Sequence, residues 1–469
     1  MRKISAAVAT SVSLLAGTAF AADQAPPVLK APPLAAPFSW TGFYIGGHAG
    51  IAVGVATSSS GTLGAFDDPD FDTITNVPRN VFWGGQVGFN YQIGPAVIGI
   101  EGDLGHLGLD ATTIRSDQAA EARFGGYATL TGRLGYAFDR TLFYAKGGGA
   151  WARISNVAGD LDGPFPAYDP TAVTALGGTR SGWVLGGGVE HALSFAPNWS
   201  VKVEYLYMDF GTERTFDTSG FAYDHRNQIH TAKLGVNYRP SWFGAMPASA
   251  PIAAPVYNWT GFYIGVNGGY GVADVTTTNA PGFGAYDEGA FIQTNLAPAR
   301  FFGGAQAGYN WQAGWGVFGI EAEGGYLGMR QEVTAIDDFT RVEFGWYGVL
   351  AARAGIALDR TLIYGKFGGA VAHIENTASD LDGVPFVFDP ADFSSVTKTR
   401  FGWALGGGIE HSFLPNWSLK VEYLYMDFGT FQAFNATPGD VFEHRNTVHT
   451  AKLGLNYRFG GATPVVARY

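Results

Sequence analysis

Short segments of alternating apolar and polar residues recur along this chain, and they constrain its fold more than any other feature. The segment KVEYLYMDFGT occurs twice without change, at Lys202–Thr212 and at Lys420–Thr430. In a β-strand, successive side chains point to opposite faces. Val203 and the tyrosines would then share an apolar face, while Lys202 and Glu204 would share a charged one. A strand of this kind needs different surroundings on its two faces.

Each half of the chain contains eight such segments, and their length of about ten residues is what a tilted strand needs to cross a bilayer. The connections alternate in length, with short turns such as Ile93-Gly94-Pro95 and Asp139-Arg140 after even-numbered segments. This pattern is typical of bacterial outer-membrane β-barrels, which have short periplasmic turns and long extracellular loops. A soluble β-sandwich also alternates its faces, but its strands are shorter and it has no use for aromatic residues at strand ends.

Composition agrees with an exported, strand-rich protein. The 469 residues include 68 glycines and no cysteine, with 15% aromatic and 15% charged residues, which favours strands and tight turns over helical bundles. Arg2 and Lys3, a short apolar run and the sequence Ala19-Phe20-Ala21 predict a secretory signal peptide. The net charge of −11 argues against nucleic acid as a partner, so we expect no nucleic acid.

The chain is a duplication of one unit. WTGFYIGGHAG begins at Trp40 and WTGFYIGVNGG at Trp259, while HTAKLGVNYR begins at His230 and HTAKLGLNYR at His449. A period this long indicates duplication of a whole domain, because solenoid repeats are much shorter. We therefore expect a signal peptide at 1–21, a Pro/Ala-rich periplasmic leader at 22–39, a first eight-stranded barrel unit at 40–239, a Pro/Ala-rich linker at 240–258, a second eight-stranded unit at 259–459 and a C-terminal tail at 460–469.

Three motifs carry a family resemblance: FYIGGHAG, EYLYMDFG and the closing KLGVNYR. With these motifs the chain resembles small outer-membrane β-barrels of the OmpA/opacity type, and it is similar to the surface-antigen outer membrane proteins of alphaproteobacteria. The resemblance covers both units. It departs from the family pattern in having two barrel units in tandem, and in lacking the helical peptidoglycan-binding domain of longer OmpA proteins.

The resemblance implies an integral protein of the bacterial outer membrane with roles in envelope integrity and surface exposure. Its implied partners are outer-membrane lipid and lipopolysaccharide, the barrel-assembly machinery, periplasmic chaperones, and host or haem ligands at the loops. No cofactor is expected.

Charged residues fall on the inward face of the predicted strands in equal numbers of acids and bases. Because an unpaired buried charge costs several kcal/mol, this balance predicts an ion-pair network that fills the barrel interior. The opposite face of the same strands, with Val203, Tyr205 and Tyr207, is expected to meet lipid. The alternative is a gated or narrow pore lined by the same charges. In the first unit the residues are Glu101, Asp103, Arg133, Lys146, Glu190, Lys202, Glu204 and Lys233, and in the second they are Glu321, Glu323, Arg353, Lys366, Glu410, Lys420, Glu422 and Lys452.

The strand pattern allows either two eight-stranded barrels or one sixteen-stranded barrel, since the ninth strand copies the first. A linker at 240–258 is too long for a turn between neighbouring strands, which favours two separate all-β barrels. The inward charges of each unit also balance by themselves. A single sixteen-stranded barrel would instead hold an aqueous channel.

Candidate catalytic and metal-binding residues are weak. Ser200 and Ser418 recur, but no histidine recurs at a matching inward position, and His225 and His444 are expected in a loop. The acidic loop with Asp67, Asp68, Asp70 and Asp72 lacks the spacing of a calcium loop. We expect no enzyme activity and no metal site. The expected function is structural, with two alternatives: a porin-like channel for small hydrophilic solutes, and an adhesin or haem-binding protein that acts through its loops.

Overall fold

The computed structural model describes residues 38–60, 73–114, 118–160, 173–216, 222–240, 257–279, 293–334, 338–380, 393–434 and 441–459. The expected signal peptide and C-terminal tail lie outside these residues, as do nearly all of the leader, most of the linker and the acidic loop. No helix in the described ranges is both long enough and apolar enough to span a membrane.

The described part of the first unit consists of antiparallel strands. These are β1 (Gly42–Ser60), β2 (Thr73–Asn76), β3 (Arg79–Ile93), β4 (Ala96–Ile114), β5 (Gln118–Phe138), β6 (Thr141–Asp160), β7 (Val173–Ala192), β8 (Trp199–Phe216) and β9 (Ala222–Tyr238). The second unit repeats them as β10 (Gly261–Asn279), β11 (Gln293–Leu296), β12 (Ala299–Ala313), β13 (Gly316–Thr334), β14 (Asp338–Leu358), β15 (Thr361–Asp380), β16 (Phe393–Ser412), β17 (Trp417–Phe434) and β18 (Val441–Arg458).

Each unit closes into its own barrel. Strand β1 pairs with β9, with Val53 opposite His230, and β10 pairs with β18, with Val272 opposite His449. The strands therefore form two sheets, one per unit, and within the described residues no ladder joins them. The two-barrel prediction is confirmed, and the sixteen-stranded alternative is wrong for this chain. The physical reason is that the last strand of each unit satisfies its backbone groups on the first strand of the same unit.

The short strand β2 is a continuation of β3 across a proline. Asn76 pairs with Ala56 of β1 and Arg79 pairs with Val53, so both pieces extend the same strand. Between them the carbonyl of Pro78 accepts a hydrogen bond from Gly54 N at 2.8 Å. Proline has no N–H to give to the ladder, which explains the break. Eight barrel strands per unit are thus observed, with one of them interrupted.

The short turns lie where the sequence predicts them. The turn at Asp139-Arg140 joins β5 to β6, and Asp139 adopts a positive φ of 51°. Asp359 repeats this conformation in the second barrel with a φ of 53°. Aspartate tolerates this left-handed region better than most residues. Since these turns and the first strand's start lie at the same end of the barrel, that end is the periplasmic one in an outer-membrane barrel.

Two sequence interpretations are corrected. His225 does not lie in a loop, because β9 already begins at Ala222, and the same holds for His444 in β18. Val203 lies on an outward face but does not face lipid. It is only 8% exposed and packs with Val189 and with Ile409 of the second barrel. The sequence of a single strand distinguishes two faces only, so an outward face covered by a second barrel looks the same as one covered by lipid.

Elsewhere the outward faces carry large exposed apolar side chains. Leu104, Leu134 and Leu234 are 65–67% exposed, and Trp83 is 66% exposed. The inward faces of the outer halves pack into apolar clusters around Phe124 and Phe344. The charged residues lie on inward faces closer to the periplasmic end.

Candidate functional site: the charged barrel interiors

The first barrel holds a lysine surrounded by three carboxylates. Lys146 Nζ lies 2.5 Å from Glu101 Oε1, 2.9 Å from Asp103 Oδ2 and 2.9 Å from Glu204 Oε1. These residues come from β4, β6 and β8, at alternate positions that point inward. Their side chains are 0% exposed. This lysine is held by charge-assisted hydrogen bonds to Glu101 and Asp103 and by an ion pair with Glu204.

Two more lysines complete this cluster. Lys202 Nζ lies 3.0 Å from Glu101 and 3.5 Å from Glu204. Lys233 Nζ lies 2.7 Å from Asp103 and 2.8 Å from Glu204. Every carboxylate of the cluster therefore meets at least two lysines. Burial of charge without such pairing would be strongly unfavourable.

A second ion pair lies on the periplasmic side of this cluster. Arg133 Nη2 donates to Glu190 Oε2 at 2.6 Å. Ser200 donates to the other Glu190 oxygen at 2.5 Å, and Asn237 donates to the same oxygen at 2.9 Å. The carboxylate of Glu190 is thus fully engaged. With this pair the ion-pair network that the sequence predicts holds four acids and four bases.

The second barrel repeats the arrangement. Lys366 Nζ lies 3.0 Å from Glu321, 2.6 Å from Glu323 and 2.7 Å from Glu422. The structure also brings together the remaining residues of this set: Lys420 with Glu321 and Glu422, Lys452 with Glu323 and Glu422, and Arg353 with Glu410. All sixteen residues that the sequence singled out are buried, and each contacts an opposite charge of its own barrel.

Tyrosines on the inward faces complete the network, although the sequence did not single them out as site residues. Tyr44 OH donates to Glu101 at 2.7 Å, and Tyr144 OH donates to Glu204 at 2.7 Å. The Arg133 guanidinium also lies 3.6 Å from the centre of the Tyr144 ring. Gly88 makes room for Tyr44, because a Cβ at that position would lie 2.3 Å from the tyrosine oxygen. Alternation with the predicted inward residues was the available signal.

The acidic groups do not form a convincing metal site. Carboxylate oxygens of Glu101, Asp103 and Glu204 approach one another within 4.8 Å, as do those of the equivalent residues of the second barrel. Lysine ammonium groups already contact these oxygens at 2.5–2.9 Å. A divalent cation would have to displace them and would leave positive charge unpaired. The arrangement is that of an internal ion-pair network.

Aromatic residues close the periplasmic end of each barrel. Trp40 is fully buried, and its Nε1 donates to the Asp139 carbonyl at 3.1 Å. Phe38 packs edge-on against Trp40, and the Arg239 guanidinium lies 4.6 Å and 4.7 Å from the centres of the two rings. Burial lowers the pKa of Arg239, just beyond β9, to about 10, although the carboxylate of Glu190 opposes the shift. In the second barrel Tyr257, Trp259 and Arg458 take these places.

The two tryptophans differ in one hydrogen bond, and this gives a small but clear prediction. Within the described residues Trp259 Nε1 has no acceptor, unlike Trp40 Nε1. Both Trp40→Phe and Trp259→Phe shorten a buried ring, but only the first loses a hydrogen bond. Trp40→Phe is therefore expected to lower the free energy of unfolding by about 1 kcal/mol more, the typical net value of a lost hydrogen bond. Trp259→Phe should have a clearly smaller effect. Urea unfolding of the two variants in detergent tests this, and equal effects would contradict it.

Neutral polar side chains lie beyond the apolar cluster of the first barrel, towards its extracellular end. Asn156 and Asn227 exchange two amide hydrogen bonds at 3.1 Å and 3.0 Å. His225 hydrogen-bonds with Ser58 at 2.9 Å and with Thr215 at 3.0 Å. Its ring therefore serves as a buried connector between strands.

The recurring serines do not form a nucleophile and base. Ser200 donates to Glu190, and Ser418 donates to Glu410 at 2.5 Å. A hydroxyl that donates to a buried, arginine-paired carboxylate is held in place as part of the ion-pair network.

The chain matches the model of one protein family twice, over residues 11–239 and again over residues 243–459. That family is the outer membrane protein beta-barrel domain. The chain belongs to this family. Each match includes one closed barrel with its charged interior, so the family domain occurs here in tandem. Membership places the protein in the bacterial outer membrane.

Two relatives are outer-membrane proteins of alphaproteobacteria. The chain is 33% identical over 224 residues to the 31 kDa outer-membrane immunogenic protein of Brucella melitensis biotype 1, a match that covers 45% of this chain and 89% of the relative. It is 28% identical over 211 residues to the 22 kDa outer membrane protein of Rhizobium leguminosarum bv. viciae, covering 45% of this chain and 82% of the relative. Each relative corresponds in length to one barrel unit.

Among solved structures, one similar chain is Ail, the attachment invasion locus protein of Yersinia pestis, in complex with the heparin analogue sucrose octasulfate. The match has 16% sequence identity and a TM-score of 0.23, and it covers 42% of this chain and 99% of Ail. A likeness this low has no bearing on function.

Proposed function

We propose that this outer-membrane protein has a structural role in envelope integrity, with two filled barrels that hold surface-exposed segments in the membrane. The observation that carries the proposal is the filled and charge-balanced interior of each barrel. A protein built to pass solutes would need a continuous path through that interior.

Three layers oppose passage through the first barrel. The aromatic pair Phe38 and Trp40 lies at the periplasmic end, the ion-pair network around Lys146 lies above it, and the amides of Asn156 and Asn227 lie nearer the extracellular end. Eight-stranded barrels are only wide enough for side chains to fill. This layering favours the structural role over the porin-like alternative, which also depended on the sixteen-stranded barrel.

Outer-membrane lipid and lipopolysaccharide are the partners that the outward faces fit. Side chains such as Leu134 and Trp83 are about two-thirds exposed in the isolated chain, at 65% and 66%. Exposed apolar groups of this number match a hydrocarbon environment. We also propose that the outer-membrane barrel machinery and periplasmic chaperones assemble the protein, which its family membership supports.

Surface exposure is supported by the names of the relatives, one of which is called an immunogenic outer-membrane protein. Host or haem ligands would meet the segments between strands at the extracellular end, which lie outside the described residues. Catalysis has no part in the proposed role, because the recurring serines and His225 are engaged in structural hydrogen bonds.

Conductance measurements test the proposal directly. The purified protein, reconstituted into planar lipid bilayers, is expected to show no stable openings of the size seen with a sixteen-stranded porin measured in parallel. Stable porin-like openings that depend on the amount of protein inserted would overturn the proposal and favour a channel.

Loss of the protein tests the envelope role. A strain lacking the gene should become more sensitive to detergents and to large antibiotics that an intact outer membrane excludes. Expression of the complete chain should restore resistance. Unchanged sensitivity, with normal surface levels of the protein in the parent strain, would count against a role in envelope integrity.

A further inference from the structure

Polar side chains on the outward faces gather along one line between the two barrels. Thr141 and His191 occupy outward positions, because Leu142 and Glu190 beside them are buried inside the barrel. Outward polar groups are costly in a lipid-facing strand unless they find a partner. Here both residues are buried, with exposures of 0% and 2%. What covers them is the second barrel.

Four residues form a hydrogen-bonded cluster at the periplasmic end of this contact. Thr141 Oγ1 lies 3.0 Å from Thr361 Oγ1 of the second barrel. His191 Nδ1 lies 2.9 Å from both threonine oxygens, and His411 Nδ1 lies 2.9 Å and 2.8 Å from the same two atoms. Residues of the two barrels therefore alternate around an approximate two-fold axis.

An apolar layer follows towards the extracellular end. Val189 and Val203 of the first barrel pack with Ile409 of the second, and they are 0%, 8% and 1% exposed. Together with the partly buried Phe143, Ile363 and Val421, these residues form three equivalent pairs from the two barrels. Such close packing of both sides leaves no room for a lipid chain between them at this level.

Histidine and tyrosine pairs occupy the next layer. Tyr205 OH lies 2.7 Å from His230 Nδ1, and Tyr423 OH lies 2.6 Å from His449 Nδ1. The ring of Tyr270, from the second barrel, stacks on His230 of the first at 5.8 Å. These residues line a small cavity of about 20 Å³, which is room for no more than a water molecule or two.

An ion pair near the extracellular end breaks the symmetry. Arg79 Nη1 of the first barrel lies 2.6 Å from Asp274 Oδ2 of the second, and 3.1 Å from Thr447 Oγ1. By strand register, the position of Arg79 is occupied in the second barrel by Ala299, and that of Asp274 is occupied in the first by Val55. The ion pair therefore has no symmetry-related copy, because the equivalent positions are occupied by Ala299 and Val55.

We infer that this inter-barrel interface is a permanent contact inside the membrane, and that Arg79 and Asp274 make it specific for one first barrel with one second barrel. Two first barrels in the same geometry would place Arg79 against Val55, a cation without a partner. Two second barrels would place Asp274 against Ala299. A contact between two copies of the same barrel would therefore leave a charge unpaired near lipid. Only the contact between one first barrel and one second barrel pairs both charges.

A cysteine cross-link in the full-length chain tests the contact, since the protein has no cysteine of its own. In the Thr141→Cys, Thr361→Cys variant the two sulfurs should lie close enough for a disulfide, given hydroxyl oxygens 3.0 Å apart. The matched control is Leu130→Cys, Leu350→Cys, whose positions are equivalent, outward and 51% and 62% exposed. A protease site is inserted in the linker between 241 and 256. Cleavage there after oxidation divides the chain into two fragments, one for each barrel.

The expected result is that the first variant remains one band after cleavage without reductant, while the control separates. Heat-dependent gel mobility establishes that both variants are folded. Equal cross-linking of the two variants, or cross-links found only between different chains, would overturn the inference. So would the absence of any cross-link in a folded Thr141→Cys, Thr361→Cys protein.

Charge reversal tests the specificity separately. After linker cleavage in mild detergent, the two barrels of the unchanged protein should remain together through purification. Arg79→Asp places two carboxylates face to face and should cause loss of this association. The double variant Arg79→Asp, Asp274→Arg restores opposite charges and should restore it. Failure of the double variant to recover what the single variant lost would show that the ion pair does not select the partner.

Discussion

Replacing Lys146 with methionine is expected to lower the free energy of unfolding of the first barrel by about 3–5 kcal/mol, the cost of removing one partner from a buried ionic group. Lys146 is the one lysine of its cluster that contacts all three carboxylates, at 2.5 Å and 2.9 Å. Without it the ion-pair network keeps four acids and only three bases. Urea unfolding in detergent or lipid vesicles, followed by fluorescence and by gel mobility, measures the change. Lys366→Met should behave alike in the second barrel.

Two controls separate charge balance from loss of packing. Leu134→Ala removes a side chain that is 65% exposed and should have a much smaller effect, because lipid fills the space. Lys146→Met combined with Glu204→Gln removes one charge of each sign and should recover most of the stability. If Lys146→Met has no larger effect than Leu134→Ala, the interior is hydrated, and a water-filled lumen would be the better description. Val203→Ala is unsuitable as the lipid-facing control because Val203 lies in the inter-barrel interface.

Trp40→Ala is expected to have a comparable effect, because it empties the periplasmic end of the first barrel. Truncation of a fully buried tryptophan typically costs about 3–5 kcal/mol. In this position it also removes the hydrogen bond to the Asp139 carbonyl and a ring on which the Arg239 guanidinium lies. The free energy of unfolding in urea is the measurement. Hydrogen exchange of the backbone amides near the ion-pair network should also become faster, because water gains access to the network from the periplasmic end.

Trp83→Ala is the matched control, since this tryptophan is 66% exposed on an outward face. It should lower stability much less than Trp40→Ala does. A larger effect of Trp83→Ala would mean that anchoring to the membrane surface, and not closure of the barrel end, is the main contribution of tryptophan in this fold.

Much of this architecture could be predicted from alternation alone. Strand number, the short turns and the inward or outward direction of each charged residue all depend on the two-residue period of a strand and on the length of a bilayer crossing. Lys202 and Glu204, two positions apart, must share a face whatever the rest of the chain does. Closure of each unit on itself was also within reach, because the linker is too long for a turn between neighbouring strands.

Other features depend on neighbours that a linear pattern does not contain. Tyr44 is on an inward face, but alternation alone does not reveal that its hydroxyl reaches Glu101 across the barrel. His225 falls in a polar stretch that resembles a loop, yet strand pairing extends beyond it. Val203 and His191 appear lipid-facing because contact between two barrels has no periodic signature. The one available sign of this contact was that outward polar residues recur at equivalent positions of the two units, as with His191 and His411.

Pairing of β9 with β1 leaves β9 no free edge to which β10 could pair instead. The two competing strands begin almost identically, as GFYIGG in β1 and GFYIGV in β10, so side chains give β9 little reason to choose between them. We expect the order of export to favour β1, because β1 and β9 both reach the periplasm before β10 follows. The first barrel can therefore be finished while the second is still incomplete. Mispairing of β9 with β10 is then expected whenever export delivers β10 before β9 has paired with β1.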